Sequence, residues 1–224
     1  MNKTLKRYKT ILFDCDGVIL NSNKLKSAAF KKVSKKFGAT SSEALLTYNI
    51  ENGGVSRFEK FRWFFYDYLK FDNCDKIIER SLEEFSEIVR SEMLNCEMVP
   101  GLEKLINYLY PAKCGVVSGS AQIELRDIFL KRDILKLFSC GVYGSPLSKY
   151  EIFDYHIQKG NFERPILYIG DSKLDHLVSE HFKCDFLFVS QWTEFKNWQD
   201  YINSKGLFYV KSLNELFLKK VSAN

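Results

Sequence analysis

The hydrophobic pattern of the chain begins with a short strand. Positions 9–13 and 18–20 are β-rich, with apolar or β-branched residues from Thr10 to Phe13 and from Val18 to Leu20, and two acidic residues lie between these stretches. From position 25 the apolar residues recur at every fourth place until Gly38, which predicts a helix that ends at that glycine.

Helical periodicity then continues to about residue 94. Apolar side chains recur at helical spacing over 57–69 and over 75–94, so we predict an amphipathic helix in each range. The apolar positions that define them are Phe58, Phe61, Phe65 and Leu69 in the first, and Ile78, Leu82, Phe85 and Val89 in the second. No convincing strand interrupts this block.

Beyond Pro100-Gly101, segments with helical periodicity alternate with short strand-like segments. The predicted elements are helix 102–110, strand 113–117, helix 121–132, strand 140–143, helix 150–159, strand 165–170, helix 173–182, strand 185–189, a weaker helix, strand 207–210 and a final helix. Such alternation predicts an α/β fold, a parallel sheet with helices on both faces. We therefore predict one core domain, residues 1–21 and 99–224, interrupted by an all-helical cap domain, residues 22–98.

Composition narrows the class of protein. The 224 residues are 46% hydrophobic, which is normal for a globular protein. The net charge of +5 is too small to indicate nucleic-acid binding. No apolar run reaches the length of a membrane span, and the basic start leads into a segment broken by aspartates rather than a signal-peptide core. The six cysteines form no CxxC pair, so we predict reduced thiols and a cytoplasmic location.

Polar residues with catalytic potential follow the predicted strands. Asp14 and Asp16 follow the first, Ser118 ends the second, Lys149 follows the loop after the third, and Asp171 ends the fourth. Because ligands bind parallel sheets at the carboxyl ends of their strands, we expect these side chains to lie at one edge. Clustered carboxylates with a lysine and a hydroxyl suit phosphoryl transfer, and an all-oxygen ligand set favours Mg²⁺.

Motifs at these positions resemble a known family. FDCDGV at 13–18, VVSGS at 116–120, SPLSK ending at Lys149 and IGDSKLD at 169–175 are similar, in this order, to the motifs of haloacid dehalogenase-like (HAD) hydrolases. The resemblance extends over nearly the whole chain. It implies a Rossmann-like core with a helical cap inserted after the first motif, as in subfamily I, which includes phosphoglycolate phosphatase and β-phosphoglucomutase-like enzymes.

The resemblance also implies roles for individual residues. Asp14 corresponds to the nucleophile and Asp16 to the general acid/base that protonates the leaving oxygen and then activates water. Phosphate would be bound by Ser118, Gly119 and Lys149. Mg²⁺ would be bound by Asp14, Asp171 and the backbone carbonyl of Asp16, with Asp175 as a further ligand or a supporting partner.

Taken singly, these motifs have structural explanations. An Asp-Gly pair after an apolar run is commonly a turn, and Ser118 or Ser120 suits the N-cap of the following helix. Asp171 and Asp175 suit the first turn of a helix through its dipole, and Lys149 lies outside the commoner Lys-Pro form of its motif. The combination favours the catalytic interpretation.

The predicted cap contains a candidate specificity loop. In NGGVSRFEKF, residues 52–61, a Gly-Gly turn ending at Gly54 precedes Ser56, an N-cap with Glu59 in the capping-box position. Its GVSR segment resembles the cap loop of β-phosphoglucomutase-like enzymes. This resemblance implies that Arg57 binds the distal end of the substrate; the alternative is a solvated helix residue.

The leading functional prediction is a Mg²⁺-dependent phosphatase that acts on a small phosphorylated metabolite, such as a sugar or polyol phosphate. A phosphomutase is the alternative that Arg57 favours, although Lys26 stands where those mutases carry a histidine and Asn21-Ser22 replaces their usual Asp-Ser or Asp-Thr. A catalytically silent binding module is the third. We predict no nucleic-acid or membrane partner, and either a monomer or a homodimer.

Overall fold

The computed structural model of the protein describes residues 5–218, and a six-stranded parallel sheet forms its centre. Its strands are β1 Thr10–Phe13, β2 Lys113–Ala121, β3 Gly141–Ser145, β4 Ile166–Gly170, β5 Asp185–Val189 and β6 Phe208–Val210. Their order across the sheet is β3-β2-β1-β4-β5-β6. The chain thus builds outward from β1 to one side and then from β4 to the other, which confirms the predicted α/β class.

Helices precede or follow the strands in regular alternation. In chain order they are α1 Asn23–Ser34, α2 Ala39–Glu51, α3 Arg57–Arg62, α4 Asp75–Asn95, α5 Leu102–Leu109, α6 Gln122–Lys131, α7 Lys149–Gln158, α8 Lys173–His181, α9 Trp198–Lys205 and α10 Glu215–Leu218. Short 3₁₀ turns follow α1 and α6, at Lys35–Phe37 and Leu135–Leu137. Among residues 5–218, none of these helices combines the length and apolar character of a membrane span.

The sheet is buried on both faces. Successive side chains of β1 alternate between two hydrophobic clusters, with Ile11 and Phe13 in one and Leu12 in the other. All three are inaccessible to solvent. This double burial explains why β1 is an uninterrupted apolar run rather than an alternating one.

The helices between β1 and β2 pack around aromatic side chains. Residues 22–98, the helical insert, contribute no strand to the sheet. Phe30 of α1 contacts Phe85 of α4 and Phe61 of α3, with ring centroids 4.4 and 5.3 Å apart. Phe61, Phe64 and Phe65 are fully buried, so packing within the insert explains much of its high aromatic content.

Two sequence-based expectations differ from the structure. Residues 18–20 are not a strand: the amides of Ile19 and Leu20 donate to the Cys15 carbonyl, so the chain turns back directly after the aspartates. The helix predicted over 57–69 is α3 followed by a π-helix, Trp63–Tyr68. The other predicted elements are present, most of them with ends shifted by a few residues. The largest difference is in β2, which continues beyond its predicted end at residue 117 to Ala121. The six cysteines, all within the described residues, are free as predicted.

Candidate active site

The candidate site lies where the strand order reverses, at the carboxyl ends of β1 and β4. Asp14 directly follows β1 and Asp171 directly follows β4, and these two strands are neighbours in the sheet. The Asp14 amide donates to the Ile169 carbonyl at 2.8 Å, which continues the ladder and fixes the Asp14 backbone. A reversal in strand order opens a crevice at this edge, where open α/β sheets bind ligands.

Lys149 lies between two buried carboxylates. Its Nζ is 2.9 Å from Asp14 Oδ2 and 2.5 Å from Asp175 Oδ1. All three side chains are almost inaccessible to solvent. Burial alone would lower the pKa of Lys149, but the two carboxylates raise it above its usual value, so the ammonium stays protonated.

Protein donors surround the Asp175 carboxylate. Besides Lys149, its Oδ1 accepts from Tyr168 Oη at 2.8 Å, and its Oδ2 accepts from Ser172 N and Ser172 Oγ at 3.1 and 2.6 Å. Ser172 and Asp175 together form the capping box of α8. With both oxygens engaged, Asp175 fits the supporting role better than that of a direct metal ligand.

The Asp171 side chain lies directly against Gly17 of the first motif. Its Oδ2 accepts from Asn23 Nδ2 at 2.7 Å, and a Cβ on Gly17 would lie only 2.1 Å from that oxygen. Gly17 also has a φ of +77°, which glycine adopts without strain. A residue without a side chain is therefore required at position 17 for the two motifs to meet.

The carboxylates form a cluster that suits a hard cation. One oxygen from each of Asp14, Asp171 and Asp175 lies within 4.8 Å of the others. Burial first, and then repulsion from neighbouring carboxylates, raises the pKa of Asp14 to about 7 despite Lys149. The same causes raise the pKa of Asp171 well above its usual value. One ammonium does not balance three carboxylates, and oxygen donors suit Mg²⁺. The donor set therefore fits the predicted metal.

The Asp16 carboxylate is not part of this cluster. Its Oδ1 accepts from Ser22 Oγ at 2.5 Å and pairs with Lys26 Nζ at 2.6 Å, and its Oδ2 accepts from Ser120 Oγ at 2.7 Å. Burial alone would raise the pKa of Asp16, but the charge of Lys26 and these hydrogen bonds outweigh burial and lower it to about 2. Side chains of the insert and of the core thus engage the Asp16 carboxylate; metal binding through the Asp16 backbone carbonyl stays a prediction.

Ser118 and Gly119 lie beside Asp16 at the end of β2. Ser118 is fully buried, and its Oγ accepts from the Ser120 amide at 3.1 Å. The N-cap of α6 is Ala121, so the structure rejects the N-cap alternative for both serines. A Cβ on Gly119 would lie 2.3 Å from the Gly54 carbonyl oxygen, which shows that the helical insert touches the core here.

The insert closes one side of a cavity of about 90 Å³ above the aspartates. Residues of the core and of the insert both line this cavity, among them Asp14, Asp16, Lys26, Gly54, Arg57, Lys60, Glu124 and Glu194. Ser56 caps α3 as predicted, with its Oγ accepting from the Glu59 amide at 3.3 Å. Arg57 Nη1 is 2.7 Å from Glu124 Oε2 of α6, an ion pair between the insert and the core.

The segment after β5, for which the sequence indicated no role, contributes to the site. Asn23 Nδ2 donates to the Trp192 carbonyl at 3.0 Å, and Thr193 Oγ1 donates to the Asp171 carbonyl at 2.6 Å. These bonds hold α1 and the Asp171 backbone to residues 192–193. No sequence motif identifies residues 192–193, because their contacts with the site depend on where β5 ends.

Comparison with known proteins identifies the family. A family model described as haloacid dehalogenase-like hydrolase matches residues 11–189. The chain belongs to this family. No similar protein was found among the curated proteins.

Solved structures share the HAD fold along nearly their whole length. A β-phosphoglucomutase from Clostridium difficile is 20% identical with a TM-score of 0.69, and the match covers 94% of each chain. A predicted phosphoglycolate phosphatase from Haemophilus somnus is 18% identical with a TM-score of 0.70, over 94% of this chain and 96% of that one. A haloacid dehalogenase-like hydrolase from Streptococcus pneumoniae is 17% identical with a TM-score of 0.66, over 93% and 96%.

Membership of the HAD hydrolases confirms the predicted family and enzyme class. The structure also brings Asp14, Asp16, Lys149, Asp171 and Asp175 to one edge of the sheet, as the strand-end argument predicts. Their individual roles, the metal and the division into core and cap stay predictions.

Proposed function

We propose that the protein is a Mg²⁺-dependent phosphatase that hydrolyses a small phosphorylated metabolite through an aspartyl-phosphate on Asp14. The observation that carries this proposal is the position of Asp14 at the open end of β1, 2.9 Å from a buried lysine and within a carboxylate cluster. Nucleophile, counter-charge and metal ligands thus converge on one point. The core domain (1–21 and 99–224) supplies this chemistry, and the cap domain (22–98) covers it.

The placement of the side chains supports the following reaction. Asp14 attacks the phosphorus, the ester P–O bond breaks, and Asp16 gives a proton to the departing oxygen. Asp16 then takes a proton from water, which attacks the aspartyl-phosphate and releases inorganic phosphate. Lys149 and Ser118, with the backbone at Gly119, bind the phosphoryl oxygens. Asp14, Asp171 and the Asp16 carbonyl would hold Mg²⁺, which would neutralise phosphoryl charge when bound.

Lys26 affects the two proton transfers differently. Its ion pair holds Asp16 in the ionised form, which suits the base that activates water. The acid role requires a proton on Asp16, so the ion pair must weaken when substrate binds. Lys26 belongs to α1 of the helical insert, which makes movement of the insert the natural way to weaken it.

The experiment is phosphate release from a panel of phosphomonoesters with Mg²⁺. We expect Asp14→Asn to lower turnover by about a thousandfold or more with an unchanged circular-dichroism spectrum, because it removes the nucleophile. Asp154→Asn, on the exposed side of α7, is the matched control. An Asp14→Asn variant that retains most of its turnover would contradict the nucleophile assignment.

Phosphomutase activity is the second candidate, since Arg57 lines the cavity. In a mutase the same panel would give isomerised sugar phosphates without net phosphate release. The ion pairs Lys26–Asp16 and Arg57–Glu124 favour the phosphatase. Asp16 pairs with a lysine instead of the histidine implied for mutases, and Glu124 already balances the charge of Arg57.

A further inference from the structure

Lys60 is a buried cation in the wall of the candidate site. It lies in α3 of the helical insert, is 5% exposed, and lines the same cavity as Asp14 and Asp16. None of the four catalytic motifs includes it, and within the cap segment 52–61 the sequence indicated no role for it.

The ammonium of Lys60 has few partners for a buried charge. Its Nζ donates to Asn49 Oδ1 at 2.8 Å and lies 5.5 Å from the ring centroid of Phe30. An ammonium has three N–H donors, so hydrogen-bonding capacity is left over. Within residues 5–218 Lys60 makes no ion pair.

The other cations that the site shields from solvent, Lys149 almost completely and Lys26 and Arg57 in part, differ in this respect. Each pairs with at least one carboxylate: Lys26 with Asp16, Arg57 with Glu124, and Lys149 with Asp14 and Asp175. Burying a charge is costly unless an opposite charge or several hydrogen bonds accompany it. A missing counter-charge beside Lys60 therefore points to one that arrives with a ligand.

A hydrogen-bond chain links Asn49, the partner of Lys60, to the carboxylate of Glu194. Asn49 Nδ2 donates to Ser27 Oγ at 2.9 Å, and Ser27 Oγ donates to Glu194 Oε2 at 2.6 Å. Glu194 thus holds Ser27 rather than the ammonium. The chain also anchors Asn49, which in turn positions the Lys60 Nζ.

We propose that Lys60 binds a second, non-reacting anionic group of the substrate, a carboxylate or a second phosphate, while the core binds the phosphoryl group that is transferred. This inference rests on the proposed phosphatase function and narrows its substrate to phosphomonoesters with two anionic ends. Arg57 lies one helical turn before Lys60, but Glu124 already balances its charge.

The electrostatics agree with this assignment. Burial, followed by the charge of Lys26, lowers the pKa of Lys60 to about 7. An anion bound beside Nζ would favour the protonated form and recover the lost solvation. The fold thus leaves the charge of Lys60 without a counter-charge, which a bound anion would supply.

The test compares matched substrates and variants. Hydrolysis of ethyl phosphate, phosphoglycolate and ethane-1,2-diol bisphosphate is measured with Mg²⁺ for the wild type, Lys60→Met and Lys60→Gln. Arg62→Met is the control, because Arg62 lies in the same helix on its exposed side. It removes an equal charge without reaching the cavity, so it corrects for long-range attraction.

We expect the wild type to prefer one of the two probes with a second anion, and the preferred probe identifies that anion. Both Lys60 variants should lose about tenfold or more in kcat/KM on that probe, mainly through KM, because a hydrogen bond to a charged group is lost. Their kcat/KM for ethyl phosphate, and the preference of Arg62→Met, should be unchanged. Equal losses on all probes would show a merely structural role and overturn the proposal.

Binding separates this proposal from the proposed function. The same probes are titrated calorimetrically into Asp14→Asn, with and without Lys60→Met. Tighter binding of a two-anion probe that disappears with Lys60→Met supports the subsite even when no probe is hydrolysed, in which case only the phosphatase proposal fails. Equal affinity of Asp14→Asn for all three probes overturns the subsite.

Discussion

Replacing Lys60 with methionine should stabilise the protein, because the buried ammonium has no counter-charge in the fold. The pKa of Lys60 falls from the usual 10.5 to about 7, and a difference of about 3.5 pH units corresponds to about 5 kcal/mol. Methionine has a similar length and no charge. Losing the hydrogen bond to Asn49 costs about 1 kcal/mol, so the net gain should be about 3–4 kcal/mol at pH 6.

The gain should depend on pH in a defined direction. Below about pH 7 Lys60 is protonated in both the folded and the unfolded chain, so the wild type carries the whole cost of burial. Between pH 7 and 10.5 the unfolded chain binds more protons than the folded one. The stability of the wild type therefore rises with pH relative to Lys60→Met, and the advantage of the variant should shrink by about 3 kcal/mol from pH 6 to pH 9.

Urea denaturation at pH 6, 7, 8 and 9 measures this difference, with Arg62→Met as the exposed control from the same helix. Groups that titrate identically in both proteins cancel in the comparison. A difference between wild type and Lys60→Met that stays constant over this range would refute the buried, unpaired charge. So would a slope of the same size in Arg62→Met.

Further predictions concern the carboxylate cluster. Lys149→Met should destabilise the metal-free protein by about 3–5 kcal/mol in urea denaturation, because it leaves buried carboxylates unpaired. Gly17→Ala should lower Mg²⁺-dependent turnover by about a hundredfold, because the added Cβ would displace the Asp171 carboxylate. Mg²⁺ at about a hundred times its Kd should stabilise the protein by about 2.7 kcal/mol, measured as a rise in Tm that EDTA reverses and that Asp171→Asn lacks.

Each of these predictions has a control within the chain. Lys131→Met removes an exposed ion pair with Asp127 and should cost less than about 1 kcal/mol; an equal loss in Lys149→Met would contradict the buried-pair argument. Gly160→Ala introduces a side chain at a similar positive φ into open space, so it separates backbone strain from the clash. An equal Tm rise in Asp171→Asn, or from NaCl at matched ionic strength, would contradict a site at the cluster.

The fold was largely predictable because each element carries its own signal. The double burial of β1 and the helical periodicity around Phe61 and Phe85 are local properties of the chain. The failure at residues 18–20 has its cause in a local turn that the apolar pattern does not reveal. Those residues are apolar and fully buried, as a strand would be, yet the Cys15 carbonyl accepts their amides and holds them in a turn.

The aspartates and Lys149 were predictable for a different reason. They follow strands, and the carboxyl ends of parallel strands converge whatever the loops do. Asp16 shows the limit of this rule, since its position was foreseen but not the direction of its carboxylate. Ser22 and Lys26, which hold it, come from the start of the helical insert, whose path over the sheet depends on packing rather than on strand order.

The same limit explains why none of the catalytic motifs identifies Lys60 as a residue of the site. As part of an amphipathic helix it is an ordinary polar position, and only the closure of the insert over the core places its ammonium in the wall above Asp14. Glu124, Glu194 and Asp16 come from distant segments, and whether one of them reaches Lys60 depends on ångström-scale placement. Glu124 instead pairs with Arg57, Asp16 pairs with Lys26 and Glu194 accepts from Ser27. None of them forms an ion pair with Lys60, and we propose that its counter-charge comes from the ligand, so that the insert supplying this cation selects the substrate.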